Sequence, residues 1–251
     1  MKKTIFLLCA LLPSLSMADH PKKETQPHKT AKMDPASITG ETISELEEAG
    51  FTPLLAGDDL AGWTRKMGPA TFTLKDGVLM GHGEKLKSNS FLCSDKKYKD
   101  FIFTFEMKFD HLQGNSGCMF RGNERENGRI FGYQCEHDNK MSRAWTAGIY
   151  DEARRGWLDP MKKKEDETAE KAERRAEFTK QGQEVFKPEE WNTVVIKCVG
   201  NKLQTWLNGE PRANFVDNDP KNATAEGMFG FQVHSGESCD VRWRNIFVKE
   251  L

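Results

Sequence analysis

Between Phe131 and Pro160 the chain reads FGYQCEHDNKMSRAWTAGIYDEARRGWLDP. Glu136, His137, Asp138, Asp151, Glu152, Arg154 and Arg155 are interleaved there with Tyr133, Trp145, Tyr150 and Trp157. Aromatic faces beside carboxylates and guanidiniums suit a polar ring. A sugar offers apolar C–H faces for stacking and hydroxyls for charge-assisted hydrogen bonds. The competing explanation is a surface loop laced with ordinary ion pairs, because such networks have the composition of a site.

These residues need a scaffold, and the surrounding pattern is that of strands. Phe101–Phe109 (FIFTFEMKF) alternates, with the four phenylalanines and Met107 on one face and Ile102, Thr104, Glu106 and Lys108 on the other. The first face must be core; the second is expected to be polar and accessible. In Gly117–Arg121, Met119 and Arg121 share one face, and in Gly132–Asp138 the residues Gln134, Glu136 and Asp138 share another. Asp76-Gly77 and Asn208-Gly209 are hairpin turn signals, each between apolar runs. Further strands are expected at Ser90–Cys93, Trp191–Val199, Lys202–Leu207, Glu210–Phe215, Gly227–His234 and Asp240–Lys249. Many short strands with repeated turns indicate an all-β, two-sheet antiparallel jelly-roll sandwich. A polar sheet face carrying Glu106, Arg121 and Glu136 is the expected ligand site.

The charged run at 161–181 breaks this rhythm and reads as an exposed helical insertion. Ser44–Gly50 reads as a short helix ended by glycine. Before it, residues 19–43 are rich in Lys, Pro and Thr and read as a flexible linker, leaving 44–251 as a single domain. The chain opens MKKTIFLLCALLPSLSMA, a secretory signal peptide over 1–18 with cleavage expected after Ala18 and a periplasmic or secreted product. A formal net charge of −1 gives no footprint for nucleic acid or an anionic membrane. Of six cysteines, Cys9 lies in the signal and five remain, an odd number without CxxC spacing. Buried thiols are the expectation for Cys118, Cys135 and Cys198.

Several stretches resemble the 3-keto-disaccharide hydrolase family. GFTPLLAGDDLAGW (Gly50–Trp63) resembles its opening motif; LKDGVLMGHG, YKDFIFTFEMKF, NSGCMFRG, GYQCEHDN, TAGIYDEARRGWL, WNTVVIKCVGNKLQTWLNG and GFQVHSG…VRWRNIFVKEL follow in the family's order. The resemblance runs over about 50–251 and implies a concanavalin A-like jelly roll of the lectin and glucanase type, consistent with the pattern of strands. It implies substrates that are glycosides oxidised to a ketone at C3, with cleavage of the glycosidic bond. Members often read YE-x-Q where this chain has Tyr133-Gln134-Cys135-Glu136, so the acid falls two residues later on the same face.

A C3 ketone acidifies the C2 proton and lets the C1 substituent leave. The reaction needs a base, a positive group at the enolate oxygen and an acid for the leaving oxygen. Under the resemblance, Glu136 or His137 is the candidate base and Arg121 the enolate stabiliser. Glu106 orients Arg121 or acts as acid, and His234 is a proton shuttle. Asp138, Asp151, Glu152, Arg154, Arg155, Gln134 and Gln232 are candidate sugar contacts, with Trp145, Tyr150 and Trp157 stacking. No cofactor is expected. A divalent metal at Glu136 is the alternative electrophile, although Glu136, His137 and Asp138 converge on one ion only across a bulge. The partner is a carbohydrate substrate, supplied by a separate sugar 3-dehydrogenase. Two other readings fit the same residues: a carbohydrate-binding module without catalysis, and a glycosidase on unoxidised glycans using Glu106 and Glu136 as its two carboxyls.

Overall fold

The computed structural model describes residues 33–251 except 56, 163, 164 and 166. The signal peptide and most of the linker expected before Met33 lie outside the described residues. In chain order the strands are β1 (Thr52–Pro53), β2 (Trp63–Met67), β3 (Thr71–Lys75), β4 (Val78–Leu86) and β5 (Ser90–Tyr98). Then come β6 (Phe101–Phe109), β7 (Ser116–Glu124), β8 (Ile130–His137), β9 (Ile149–Glu152) and β10 (Gly156–Asp159). Helix α1 (Ala169–Val185) precedes β11 (Asn192–Val199), β12 (Lys202–Leu207), β13 (Glu210–Val216), β14 (Gly227–Val233) and β15 (Gly236–Glu250).

The strands form two antiparallel sheets. One runs β13-β12-β11-β6-β15-β4-β3, with β1 on β15; the other runs β10-β9-β8-β7-β14-β5-β2. The alternating residues of β6 set the interior. Phe101, Phe103, Phe105, Met107 and Phe109 are buried between the sheets, and Phe103 stacks on Phe229 of β14 with ring centroids 3.9 Å apart. Burial of each such side chain contributes about 2 kcal/mol. The fold is the expected jelly-roll sandwich. Cys93, Cys118, Cys135, Cys198 and Cys239 are buried thiols.

The other face of β6 departs from expectation. Ile102, Thr104 and Glu106 are buried as well. The segment 33–51, part of which reads as linker in the sequence, folds over this face. Ile38, Ile43, Leu46 and Phe51 pack on Ile102, Val195 and Trp206. A short 3-10 turn at Pro35–Ser37 is capped by Asp34, and a second lies at Ile43–Glu45. Lys249 Nζ donates to the Ala49 carbonyl at 2.6 Å, fastening the segment to β15.

Helix α1 starts later than the charged run predicts, with Thr168 as its N-cap. Its sides are polar, yet it is docked: Phe178 and Gly182 are buried. A Cβ at Gly182 would stand 1.9 Å from the Ala144 carbonyl oxygen, so only glycine permits this approach. Buried Arg212 of β13 sits over the Phe178 ring and donates to the carbonyls of Phe178 and Ala144 at 2.8 and 2.9 Å. The helix is thereby bolted to the loop after β8.

Candidate active site

A cavity of about 260 Å³ opens on the outer face of the second sheet, away from the core. Strand β8 supplies its floor. Tyr133, Cys135 and His137 turn inward, so Gln134 and Glu136 turn outward. Glu136 is 5% exposed. Asn115, just before β7, donates its Nδ2 to Oε1 at 2.8 Å, and Gln134 Nε2 donates to Oε2 at 3.1 Å. Burial, aided by the nearby Asp138 carboxylate, pushes the Glu136 carboxyl up to about 7 against the opposing influence of Asn115, Arg143 and Gln134. A carboxyl poised near neutrality is suited to take a proton and return it.

Arg143 comes from the tight turn after β8, where Arg143 and Ala144 amides donate to the Lys140 carbonyl. Its Nη2 lies 3.5 Å from Glu136 Oε1, while its Nε donates to Asp138 Oδ2 at 2.6 Å. Asp138 also accepts from the amides of Lys140 and Trp145, so it organises the turn. The guanidinium lies over the rings of Trp145 and Trp157, 5.3 and 5.1 Å from their centroids. Ala144 and Ala147 in this loop take positive φ without being glycine, a strained backbone retained at a packed site.

The remaining walls are Tyr150, Glu152, Trp157, Lys140, Lys162 and His234. Tyr150 and Trp157 meet edge to face at 5.4 Å. Burial raises the Glu152 carboxyl, opposed by Arg129, whose Nη2 donates to it at 2.6 Å. His234 Nδ1 is 2.6 Å from the Ser235 carbonyl. That nitrogen must carry the hydrogen, which leaves Nε2 to exchange a proton with the cavity.

Of the residues singled out in the sequence, the structure brings Gln134, Glu136, Tyr150, Glu152, Trp157 and His234 to this cavity. Asp138 and Gln232 stand one bond behind it, Gln232 donating to Gln134 Oε1 at 3.1 Å. The others lie elsewhere. Arg121 adopts φ 48° at a register shift in β7, which turns it away from the face of Met119. Its guanidinium donates to the carbonyls of Lys99 and Gly200 and to Asp100. Glu106 belongs to the other sheet and accepts from Arg244 and Asn245. His137 is buried in the core beside Phe105 and Trp243, and burial lowers it to about 4. Asp151 is fully buried and held by Arg154 and Arg155, and Arg155 continues to Asp217. Trp145 is nearly buried and donates its Nε1 to Thr179 of α1 at 2.9 Å.

Sequence reasoning missed Arg143, Lys140, Lys162 and Asn115. Arg143 and Lys140 lay inside the stretch that drew attention, but a turn that presents them has no alternation to reveal it. Asn115 is legible only once Ser116 is known to pair with His137, which sets it beside the end of β8.

The fold and the cavity define a jelly-roll protein with an aromatic-walled cavity lined by acidic and basic side chains. The chain belongs to the family of the 3-keto-alpha-glucoside-1,2-lyase-like domain, whose model matches residues 50–249. Among solved structures, a provisionally assigned glycosyl hydrolase from Parabacteroides distasonis is similar at 21% identity and TM-score 0.55, covering 85% of this chain and 98% of that one. Carbohydrate-binding module CBM66 from Bacillus subtilis is similar at 16% identity and TM-score 0.51, covering 79% and 100%. A Bacillus subtilis protein of unknown function with a galectin-like fold matches at 12% identity and TM-score 0.54, covering 80% and 94%. At these identities the likeness concerns the fold. No curated protein matches the chain in sequence.

Proposed function

We propose that this protein cleaves glycosides oxidised to a ketone at C3, by removal of the C2 proton and expulsion of the C1 oxygen. The observation that carries this reading is a buried carboxyl, Glu136, set between two amide donors on the cavity floor with Arg143 beside it. The Glu136 carboxylate takes the C2 hydrogen. The electron pair left at C2 forms the C1–C2 double bond as the C1–O bond breaks. Arg143 takes the electrophile's role expected of Arg121, stabilising charge on the C3 oxygen. A proton taken up from solvent at His234 Nε2 passes to the leaving oxygen, and Glu136 afterwards releases the C2 proton to solvent. Tyr150, only partly buried, offers an apolar face for the ring, with Trp157 packed behind it. Water added later across the double bond would give net hydrolysis.

The family domain name supports the substrate class, and the acid–base content of the cavity supports catalysis over binding alone. A two-carboxylate glycosidase built on Glu106 and Glu136 has no support, since the two carboxyls belong to different sheets. The signal sequence supports export, and a 3-keto substrate requires an oxidoreductase acting earlier on the sugar. The test is incubation of the purified mature protein with a 3-keto-α-glucoside and its unoxidised parent, with and without chelator. Cleavage of the keto form alone is expected. Cleavage of both overturns the elimination, binding without cleavage leaves a carbohydrate-binding module, and loss of activity with chelator transfers the electrophile's role to a divalent metal.

A further inference from the structure

The outer face of the first sheet carries a cavity of its own, of about 290 Å³, between the covering segment and β11. Thr39 and Gly40 of the segment line it on one side, Glu106 of β6 and Thr193 of β11 on the other, with Trp191 beside them. We infer that this cavity is a carbohydrate-binding site, separate from the first, that takes a neutral sugar ring. Glu106 is 4% exposed. Its Oε2 is closed by two short hydrogen bonds, from Arg244 Nε at 2.8 Å and Asn245 Nδ2 at 2.6 Å. Among the described residues Oε1 accepts only a long one, 3.3 Å from Arg244 Nη2. A buried carboxylate oxygen short of donors is costly until it meets one.

Gly40 keeps the space beside that oxygen open. A Cβ there would stand 3.0 Å from Glu106 Oε1 and 3.7 Å from the Thr193 hydroxyl. Gly40 is not among the glycines of positive φ, so the backbone does not demand glycine here; the room does. A purely structural ion pair would gain from a side chain that closed this space. The chemistry of the walls selects the ligand. Arg244 already neutralises Glu106, and exposed Glu41 and Lys187 at the rim cancel each other. No net charge remains to select an ion, and the open carboxylate oxygen beside a hydroxyl suits a neutral molecule rich in hydroxyls. Trp191 supplies the apolar element. The Arg244 guanidinium lies 4.2 Å from its ring centroid and fixes the indole, which stays partly exposed where it lines the cavity. A pyranose has the matching pair of surfaces, a C–H face and a hydroxyl edge. The walls are set in advance. Asn208 accepts from the Thr193 amide and donates to the Val185 carbonyl, both at 2.9 Å. The Thr42 hydroxyl accepts from the Thr39 amide at 2.9 Å and donates to the Ser37 carbonyl at 3.0 Å. Such preorganisation lowers the ordering cost of binding. The two cavities open on opposite faces of the sandwich, so a glycan held here leaves the first one free.

The test is titration of the isotope-labelled mature protein with methyl α-glucoside, followed on the indole N–H signals by NMR. Trp191 reports this cavity and Trp157 the first. A saturable shift of the Trp191 signal is expected in the wild type. Gly40→Val, which fills the space beside Oε1, is expected to weaken that binding about tenfold or more. Thr193→Val keeps the shape of the strand and deletes the hydroxyl, and is expected to weaken it about threefold to tenfold. The ligand-free Trp157 signal of each variant should coincide with that of the wild type, which establishes that the sandwich is folded. No saturable Trp191 shift in the wild type, or one that the folded variants retain at full strength, overturns the assignment. An equal shift with glycerol at the same concentration overturns the sugar ring as its ligand. The titration involves no turnover, so failure of the lyase reading leaves its outcome intact.

Discussion

Replacing Glu136 with glutamine should make the folded protein more stable at alkaline pH while removing its activity. Glutamine is close to glutamate in shape and does not titrate. In the folded wild type the carboxyl is held at about 7 by burial, against 4.5 in solvent. The interval is worth about 3 kcal/mol, at about 1.4 kcal/mol for each pH unit. The sign follows from proton uptake. Between those two values the folded protein holds a proton that the unfolded chain has released, so the wild type loses stability as pH rises from 4.5 to about 7. The variant has no such loss. Glutamine does bring an amide nitrogen against Asn115 or Gln134, a cost of about 1–3 kcal/mol. That cost is the same at every pH. The decisive quantity is therefore the stability difference between variant and wild type at pH 8 minus the same difference at pH 4, expected at about 3 kcal/mol. Urea unfolding at both pH values gives it, and a thermal scan should show a relative gain of about 5–10 °C at pH 8. A difference that does not change with pH would refute the assignment of a buried, protonatable carboxyl. Cleavage of a 3-keto-α-glucoside by the variant within tenfold of wild type would refute its role as base.

Three further outcomes follow from the same geometry. For the wild type, kcat/KM should rise with pH through a midpoint near 7 as Glu136 loses its proton; Asn115→Leu, which deletes the 2.8 Å donor to Oε1, should move that midpoint up by about one pH unit, as a pH–rate profile will show. Arg143→Ala should lower kcat about 100-fold with partial recovery in Arg143→Lys, whereas Arg121→Met should cost about 2–4 kcal/mol in denaturant unfolding and leave kcat of the folded fraction intact, because Arg121 serves the Asp100 and Gly200 contacts. Leu46→Ala, in the segment that covers the first sheet, should cost about 2–4 kcal/mol in unfolding without changing kcat.

The sequence is most legible where one face of a strand is core. Phe101–Phe109 announces β6 residue by residue, and the turns at Asp76-Gly77 and Asn208-Gly209 fall where β3–β4 and β12–β13 join. Parity also places Glu136 outward with Gln134. It fails at Arg121, because a bulge consumes an extra residue and reverses which side the following side chains take. It fails differently at Glu106: parity states which face a residue shares with its strand neighbours, but not which sheet the strand joins. The segment 33–51 has too few apolar residues for its coverage of β6 to be foreseen; Ile38, Ile43, Leu46 and Phe51 act only as a group. Arg154 and Arg155 look like sugar ligands by type, yet buried Asp151 and Asp217 claim them. Type and proximity in sequence do not distinguish a ligand from a brace.

The covering segment has a directional consequence. Met33 and the residues after it lie against the outer face of the β6 sheet, and the cavity opens on the outer face of the β8 sheet. A resin or surface attached through a cysteine placed at Met33 itself would stand on the side of the sandwich opposite the cavity. Immobilisation at that point presents the cavity to the bulk liquid, whereas coupling through Lys140 would turn it toward the support.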